Sequence, residues 1–345
     1  MVGPAEMVRR ARGRYSGHLE SLPILALSVH SACNCRCVMC DIWKANAERR
    51  DISAADLERH LEAIRSLRVQ RVMLTGGEPL LHRNLWALCS MLHALHVRIT
   101  LVTTGLLIEP HAADIAAAID SVVISLDGDR DVHDGIRRVQ GAFDRIARGV
   151  AVLRAQTPAP RLIARSVVQR DNFAVLDRTI EAARVIGFDE ISFLAADVSS
   201  QAFNRDVPWS SDRASEVAIG AASLAELSSA IDRAASASPD LFGRGFVAGG
   251  RASLDRIRQY YSALAGQGRF PEVHCNAPWV SAVLEPGDRL RPCFFHPLYG
   301  SAREGLETAL NSGQAIAFRR GLDVERNATC QRCVCSLNLP LARDV

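Results

Sequence analysis

The 345-residue chain has no apolar run approaching the ~18 residues needed to cross a bilayer, and it reads as a soluble, cytoplasmic protein. It also has little net charge. Forty-one Lys plus Arg stand against 38 Asp plus Glu, a balance of +3 that is too small to imply a polyanionic partner, so nucleic acid is not indicated. The early basic cluster of Arg9, Arg10, Arg12 and Arg14 is not followed by the apolar run of a signal peptide and reads as a solvated helix end. What is not scarce is cysteine. Outside secretion, ten thiols point to metal or redox chemistry rather than to disulfides.

The thiols are unevenly placed. Four fall between residues 33 and 40, five lie after residue 274, and Cys89 stands alone in the helical stretch LWALCSML as a small buried hydrophobe. Between the two groups, β-rich runs at 24–30, 71–75, 97–103, 121–127, 161–168 and 190–195 alternate with segments of helical spacing. The segment from Ser53 to Leu67 is one of these, with Ser53 as N-cap and Leu57, Leu61, Ile64 and Leu67 on one face. Strict alternation with apolar strands means parallel β with helices outside, here an α/β fold of (β/α)6 partial TIM barrel type. In barrels, chemistry sits on loops at the carboxyl ends of strands. The cysteine loop follows the first strand and is in that place.

Cys33-x3-Cys37-x2-Cys40 supplies three thiolates, enough to hold three irons of a cubane cluster and leave the fourth open to a ligand. Zinc binding is the alternative for thiols at this spacing, and Cys35 complicates the choice. After the second strand, LTGGEPLL (74–81) offers two glycines that let backbone approach a ligand and a carboxylate, Glu78, for an ammonium group.

This conjunction resembles the radical S-adenosylmethionine (radical SAM) superfamily over about residues 24–197. The resemblance implies that Cys33, Cys37 and Cys40 hold a 4Fe-4S cluster whose open iron chelates the amino and carboxylate groups of S-adenosylmethionine. It implies that Gly76, Gly77 and Glu78 receive the methionine ammonium and that Met39 covers the adenine face. Ser125 of SLDG and Arg137, twelve residues on, correspond to contacts with the cofactor ribose and carboxylate, and Asn172 matches a frequent asparagine or serves its turn alone. TTG (103–105) stands where relatives often have TNG. One electron then cleaves the sulfonium to give methionine and a 5′-deoxyadenosyl radical, which takes hydrogen from a substrate C–H bond. The protein supplies orientation and exclusion of water.

Residues 198–270 read as a helical connection closing the open side, with Leu224, Leu227 and Ile231 on one face and loop signals in SASPDLFGRGFVAGGR. In residues 271–345, Cys275 and Cys293 flank a strand-turn-strand pattern around Pro286, Gly287 and Asp288, and Cys330-x2-Cys333 returns with Cys335 close behind. Two such pairs also resemble a zinc ribbon. Behind a radical SAM core they resemble the twitch form of the SPASM domain, which implies one auxiliary 4Fe-4S cluster on Cys275, Cys293, Cys330 and Cys333, with Cys335 a spare or alternative ligand. Residues 1–22 form an N-terminal segment and 23–197 the barrel core.

A cluster with every iron protein-bound accepts electrons and does not chelate substrate, which favours oxidation, or a radical elimination such as decarboxylation, of a small polar intermediate of sugar, aminocyclitol or nucleoside type. The expected partner is an external one-electron donor such as flavodoxin or ferredoxin, with no membrane partner. A peptide maturase and a redox-neutral epimerase are the alternatives, the former disfavoured by the roughly twenty residues before the first strand. Asp197, Glu285 and His296 are the polar candidates for base or substrate anchor, and spacing selects none of them. An anaerobically purified sample is expected to be brown and to contain about eight irons per chain, from two cubane clusters. Zinc in place of iron would identify a non-catalytic cysteine-rich protein instead.

Overall fold

A computed structural model describes residues 2–345. The β-rich runs become β1 (Ile24–His30), β2 (Arg71–Gly76), β3 (Arg98–Thr103), β4 (Ser121–Ser125), β5 (Arg161–Val168) and β6 (Glu190–Ala195). They stand in the order β6-β5-β4-β3-β2-β1 with every neighbour parallel, and helices fill each crossover. This is the partial barrel that the alternation implies. Each strand buries one face completely, as Leu25, Leu27 and Val29 do in β1. The opposite face lines the lumen and mixes apolar residues such as Ala26 and Met73 with polar ones, Ser28 on β1, Thr75 on β2, Ser125 on β4, Arg165 on β5 and Ser192 on β6.

The C-terminal cysteine region continues this sheet. β7 (Ser281–Glu285) pairs parallel with β1, turns at Pro286-Gly287-Asp288 and pairs antiparallel with β8 (Arg289–Arg291), which takes β9 (Gly300–Ser301) at the edge. Residues 246–248 cover the other edge: Ile191 donates its N–H to the Phe246 carbonyl, and Ala248 donates to Ile191, both at 2.8 Å. The stretch read as loop therefore caps an unpaired strand, which an open sheet needs. Helix Leu224–Ala237 packs against helix Leu176–Ile186 on one side and helix Gly250–Leu264 on the other, with Leu224, Leu227 and Ile231 buried on the expected face. The fully buried Tyr261 accepts from Ala196 N–H and donates to the Val168 carbonyl, so one hydroxyl ties the ends of β5 and β6.

Two local expectations change. The single helix over 53–67 is two, Ala54–Glu58 and Leu61–Ser66, behind a capping box between Ser53 and Asp56. Between them His60 turns inward to meet Asp288 of the β7–β8 turn at 3.0 Å, where Arg59 joins at 3.1 Å. Arg10 is also no solvated helix end. It is buried on Glu6 at 3.0 Å and donates to the Arg343 carbonyl at 2.8 Å, drawing the two chain ends together.

Asp288 thus joins the C-terminal hairpin to the barrel helices while holding a left-handed φ of 60°. Asp288→Ala is expected to lower stability by about 1–3 kcal/mol, the cost of a buried hydrogen-bonding group left without its partner. A fall in the urea midpoint at unchanged slope reads this, and an unchanged midpoint refutes it.

Candidate functional site

The cysteine loop leaves β1 at the carboxyl end of the barrel and is clamped from several sides. Arg36 and Val38 donate their N–H groups to the carbonyls of Arg137 and Ile136, at 3.2 and 3.1 Å. Asn46 brackets Cys33, accepting from its N–H at 2.9 Å and donating to its carbonyl at 2.8 Å, and Trp43 donates to the Cys40 carbonyl at 2.9 Å. From the connection, Arg205 reaches the Met39 carbonyl, Arg213 the Val38 carbonyl, and Trp209 donates to Asp41 at 2.7 Å. The Arg205 and Arg213 guanidinium groups lie 3.9 and 4.4 Å from the Trp209 ring centroid. They lock these residues into one unit by cation–π contact.

Within the loop the Cys35 thiol lies beside those of Cys33 and Cys37 and interacts with both. Those contacts, chiefly Cys35 and then the Arg137 charge, bring Cys37 down to about 6, while Cys35 is driven far above the ordinary thiol range and keeps its proton. Burial, reinforced by Cys37, raises Cys40 to about 12. The donor set fits an iron–sulfur cluster: three thiols at the spacing of the motif, with Cys33 and Cys40 still partly open. Met39 is buried in the core beneath the loop.

The two glycines serve the loop itself. A Cβ on Gly77 would lie 2.1 Å from the Ala32 carbonyl oxygen, and one on Gly76 would lie 2.3 Å from that of His30. The close approach they permit is therefore to the chain's own backbone, where Gly77 and Glu78 donate to those same two carbonyls. Glu78 is 0% exposed. One oxygen accepts from Leu80 N–H at 3.0 Å and Thr103 hydroxyl at 2.8 Å, the other from Thr104 N–H and hydroxyl, both at 2.7 Å. Four donors fill its acceptor positions. An ammonium ligand has to displace one of them, and TTG acts here as the carboxylate's brace.

Arg137 differs from its expected role in a similar way. It is buried against Asp127, with Nε–Oδ2 at 2.6 Å, and it donates to Cys37 Sγ at 3.6 Å. Ser125 ends β4 facing the lumen, opposite Arg165. Asn172 is wholly employed in a turn, donating to the Asp127 and Val167 carbonyls and accepting from Gln169 N–H.

All five C-terminal cysteines, Cys275, Cys293, Cys330, Cys333 and Cys335, line one cavity of about 200 Å³ whose other walls are mainly apolar, among them Ile24, Ala26 and Met73 from the lumen face of β1 and β2. Burial raises Cys293 to about 11 and Cys330 to about 12. A mainly apolar, thiol-lined space of this kind fits a second cluster. Cys335 is exposed at the edge of this cavity.

The three polar candidates do not meet. Asp197 is buried in an ion pair with Arg205 at 2.9 Å and accepts from Ser200 at 2.6 Å. His296 belongs to the C-terminal cavity, its Nε2 3.3 Å from Cys330 Sγ. Glu285 alone faces the lumen pocket; Arg291 donates to one oxygen at 2.6 Å, and Arg289 lies 2.8 Å from the other without hydrogen-bond alignment. Asp127, Arg165, Arg205, Trp209 and Arg213 were not identified from sequence. Only Asp127 lies inside a recognised motif, SLDG.

A parallel partial barrel with a thiol triplet at the carboxyl ends of its strands and a second thiol group at its side has the layout of an iron–sulfur barrel protein. Residues 27–168 match the sequence model of the Radical SAM superfamily, so this part of the chain is a radical SAM domain, and the likenesses below are consistent with the SPASM/twitch subgroup. Members use a 4Fe-4S cluster with S-adenosylmethionine, and SPASM-type proteins add auxiliary clusters. The chain is 36% identical over 136 residues to a probable GTP 3′,8-cyclase of Methanopyrus kandleri, covering 38% of this chain and 44% of that protein. It is 33% identical over 177 residues to the mycofactocin maturase MftC of Mycobacterium tuberculosis, covering 49% and 45%. The matches thus span under half the length of these curated relatives. In fold it is similar to Streptococcus suis SuiB bound to S-adenosylmethionine, with a TM-score of 0.62 at 15% identity over 95% of this chain and 75% of that one.

Replacing Cys33, Cys37 or Cys40 singly with Ala is expected to remove about four irons per chain and to abolish reductive cleavage of S-adenosylmethionine, whereas Cys35→Ala keeps both. Iron assay and chromatography of 5′-deoxyadenosine read the outcomes. A Cys35 variant without iron beside a Cys33 variant with it reverses the assignment.

Proposed function

We propose that this radical SAM enzyme oxidises a small polar substrate held in the barrel lumen, with the C-terminal thiols holding a cluster that accepts the electron released from it. The observation that carries this reading is that two cavities lie back to back. The lumen pocket, about 160 Å³, is lined by Ser28, Thr75, Gly76, Gly77, Glu285 and Arg291; the thiol cavity lies beside it, and Val283 and Phe294 line both. A substrate beside the GGE loop is then separated from the auxiliary site by one layer of side chains.

In this reading residues 23–197 hold the first cluster through Cys33, Cys37 and Cys40, and residues 271–345 hold the second through Cys275, Cys293, Cys330 and Cys333. Bound S-adenosylmethionine supplies the hydrogen-abstracting radical. The chain's own residues do the rest. The clamp from Arg205, Trp209 and Arg213 holds the loop closed over the lumen, and Ser28, Thr75, Ser125 and Arg165 offer hydrogen bonds to a polar substrate. Glu285 is the base best placed to take the proton lost on oxidation, and Arg291 orients it. The reducing electron comes from a flavodoxin- or ferredoxin-type donor.

A peptide substrate is the second reading, favoured by the likeness to MftC and to SuiB bound to its precursor peptide. The small volume of the lumen pocket, and the Ser28, Thr75 and Glu285 side chains in its wall, favour the first. Low-molecular-mass metabolite fractions that stimulate 5′-deoxyadenosine formation support it, and stimulation only by a peptide overturns it.

Changing Cys275 and Cys293 together to Ala is expected to lower iron from about eight to about four per chain. S-adenosylmethionine should still be cleaved slowly, with deuterium from the attacked carbon appearing in 5′-deoxyadenosine and oxidised product lost. Full product formation without the auxiliary irons would instead indicate a redox-neutral reaction and a structural C-terminal region.

A further inference from the structure

Arg137 and Asp127 form an ion pair set directly against the cysteine loop. Asp127 is fully buried at the end of β4, and Arg137 is buried in the last turn of helix Arg130–Arg137. Asp127 Oδ2 takes both Nε and Nη2 of Arg137 at 2.6 Å, while its other oxygen accepts from Val167 N–H at 2.9 Å. The remaining arm, Nη1, points the opposite way and donates to Cys37 Sγ at 3.6 Å. The backbone holds this arrangement from behind, because the Ile136 and Arg137 carbonyls accept from Val38 and Arg36, the two neighbours of Cys37 in sequence. The pair is neutral as a whole. Its orientation is therefore what acts on the sulfur, with the cation in contact and the carboxylate behind it.

We propose that Arg137 is a positioning residue that raises the reduction potential of the barrel cluster through its hydrogen bond to the Cys37 sulfur, and that Asp127 sets how strongly it does so. This rests on Cys37 being a cluster ligand. Reduction adds one electron to the cluster from an external flavin or iron–sulfur donor, breaks no protein bond and moves no proton, since the guanidinium stays charged throughout. The added negative charge is spread over the thiolate sulfurs, and a hydrogen-bonded cation in a low-dielectric setting stabilises it. A cluster that must be reduced at low potential before any cleavage begins benefits directly. The same geometry explains why Arg137 is engaged before S-adenosylmethionine arrives: three of its N–H groups are already committed.

The test uses the full chain with both clusters assembled anaerobically, poised over a range of potentials and followed by EPR, the barrel cluster being recognised by the change in its signal when S-adenosylmethionine is added. Arg137→Met is expected to leave that cluster at least tenfold less reduced at a fixed potential, about 59 mV for a one-electron couple. Asp127→Asn keeps the oxygen that accepts from Val167 but removes the compensating charge, so the cluster should be more readily reduced than in the natural protein. Arg137→Lys retains the charge and should fall between Arg137→Met and the natural protein. Opposite shifts for the Arg137 and Asp127 variants support the proposal, because general loosening of the loop would move both the same way. Shifts of the same sign, or reduced-to-oxidised ratios within threefold of the natural protein at a fixed potential, overturn it. So does loss of S-adenosylmethionine affinity in Arg137→Met at unchanged potential, which returns Arg137 to the cofactor carboxylate. If Arg137→Met does not retain the cluster, the direction of the Asp127→Asn and Arg137→Lys shifts decides. If the natural protein itself shows no S-adenosylmethionine-sensitive signal, the assignment of Cys37 as a ligand fails instead.

Discussion

The cysteine loop can lie across the barrel mouth only because Gly76 and Gly77 have no side chains. The carbonyls of His30 and Ala32 occupy the space where their Cβ atoms would be, and the backbone of β2 hydrogen-bonds the loop at those points. Any other residue there pushes the first thiol away from the lumen. Glu78 extends the same joint sideways, with four donors from Leu80, Thr103 and Thr104 converging on a carboxylate without solvent. Burial favours the protonated form and the donors oppose it. A buried charge is tolerable only when its acceptor positions are filled.

From that joint the rest of the site is assembled by elements distant in sequence. The turn after helix Arg130–Arg137 supports the middle of the loop, and the Arg205–Trp209–Arg213 unit covers it from outside. Asp197, a plausible base from sequence, contributes by anchoring Arg205 in that cover. Charged groups near the first thiol set are thus mostly paired with one another, so that few isolated charges stand beside the thiols. On the lumen face Arg165 of β5 donates through Nε to Ser192 of β6 at 2.7 Å.

The C-terminal thiols depend on the barrel as well. β7 extends the sheet from β1, and the cavity that holds the five cysteines borrows Ile24, Ala26 and Met73 for its wall. The thiol cavity therefore shares a wall with the barrel. His60 and Asp288 bind the two regions at the hairpin turn, at the expense of a broken helix.

Much of this was legible in the residues themselves. Strand and helix periodicity reports which face of each element is apolar, a local property, and it located all six barrel strands to within a residue or two. The spacing of Cys33, Cys37 and Cys40, the GGE triplet after β2 and the two later cysteine groups are contiguous motifs, readable because their chemistry is local. What periodicity could not report is which polar side chains answer one another across the fold. Only the tertiary structure shows Glu78 filled by Thr103 and Thr104, Arg137 turned to Asp127 and Cys37, and Arg10 buried on Glu6, because each depends on a partner positioned by a different element. The same holds for Asp197, Glu285 and His296: equal candidates by residue type, they are separated into an anchor, a lumen carboxylate and a thiol neighbour by where the backbone places them.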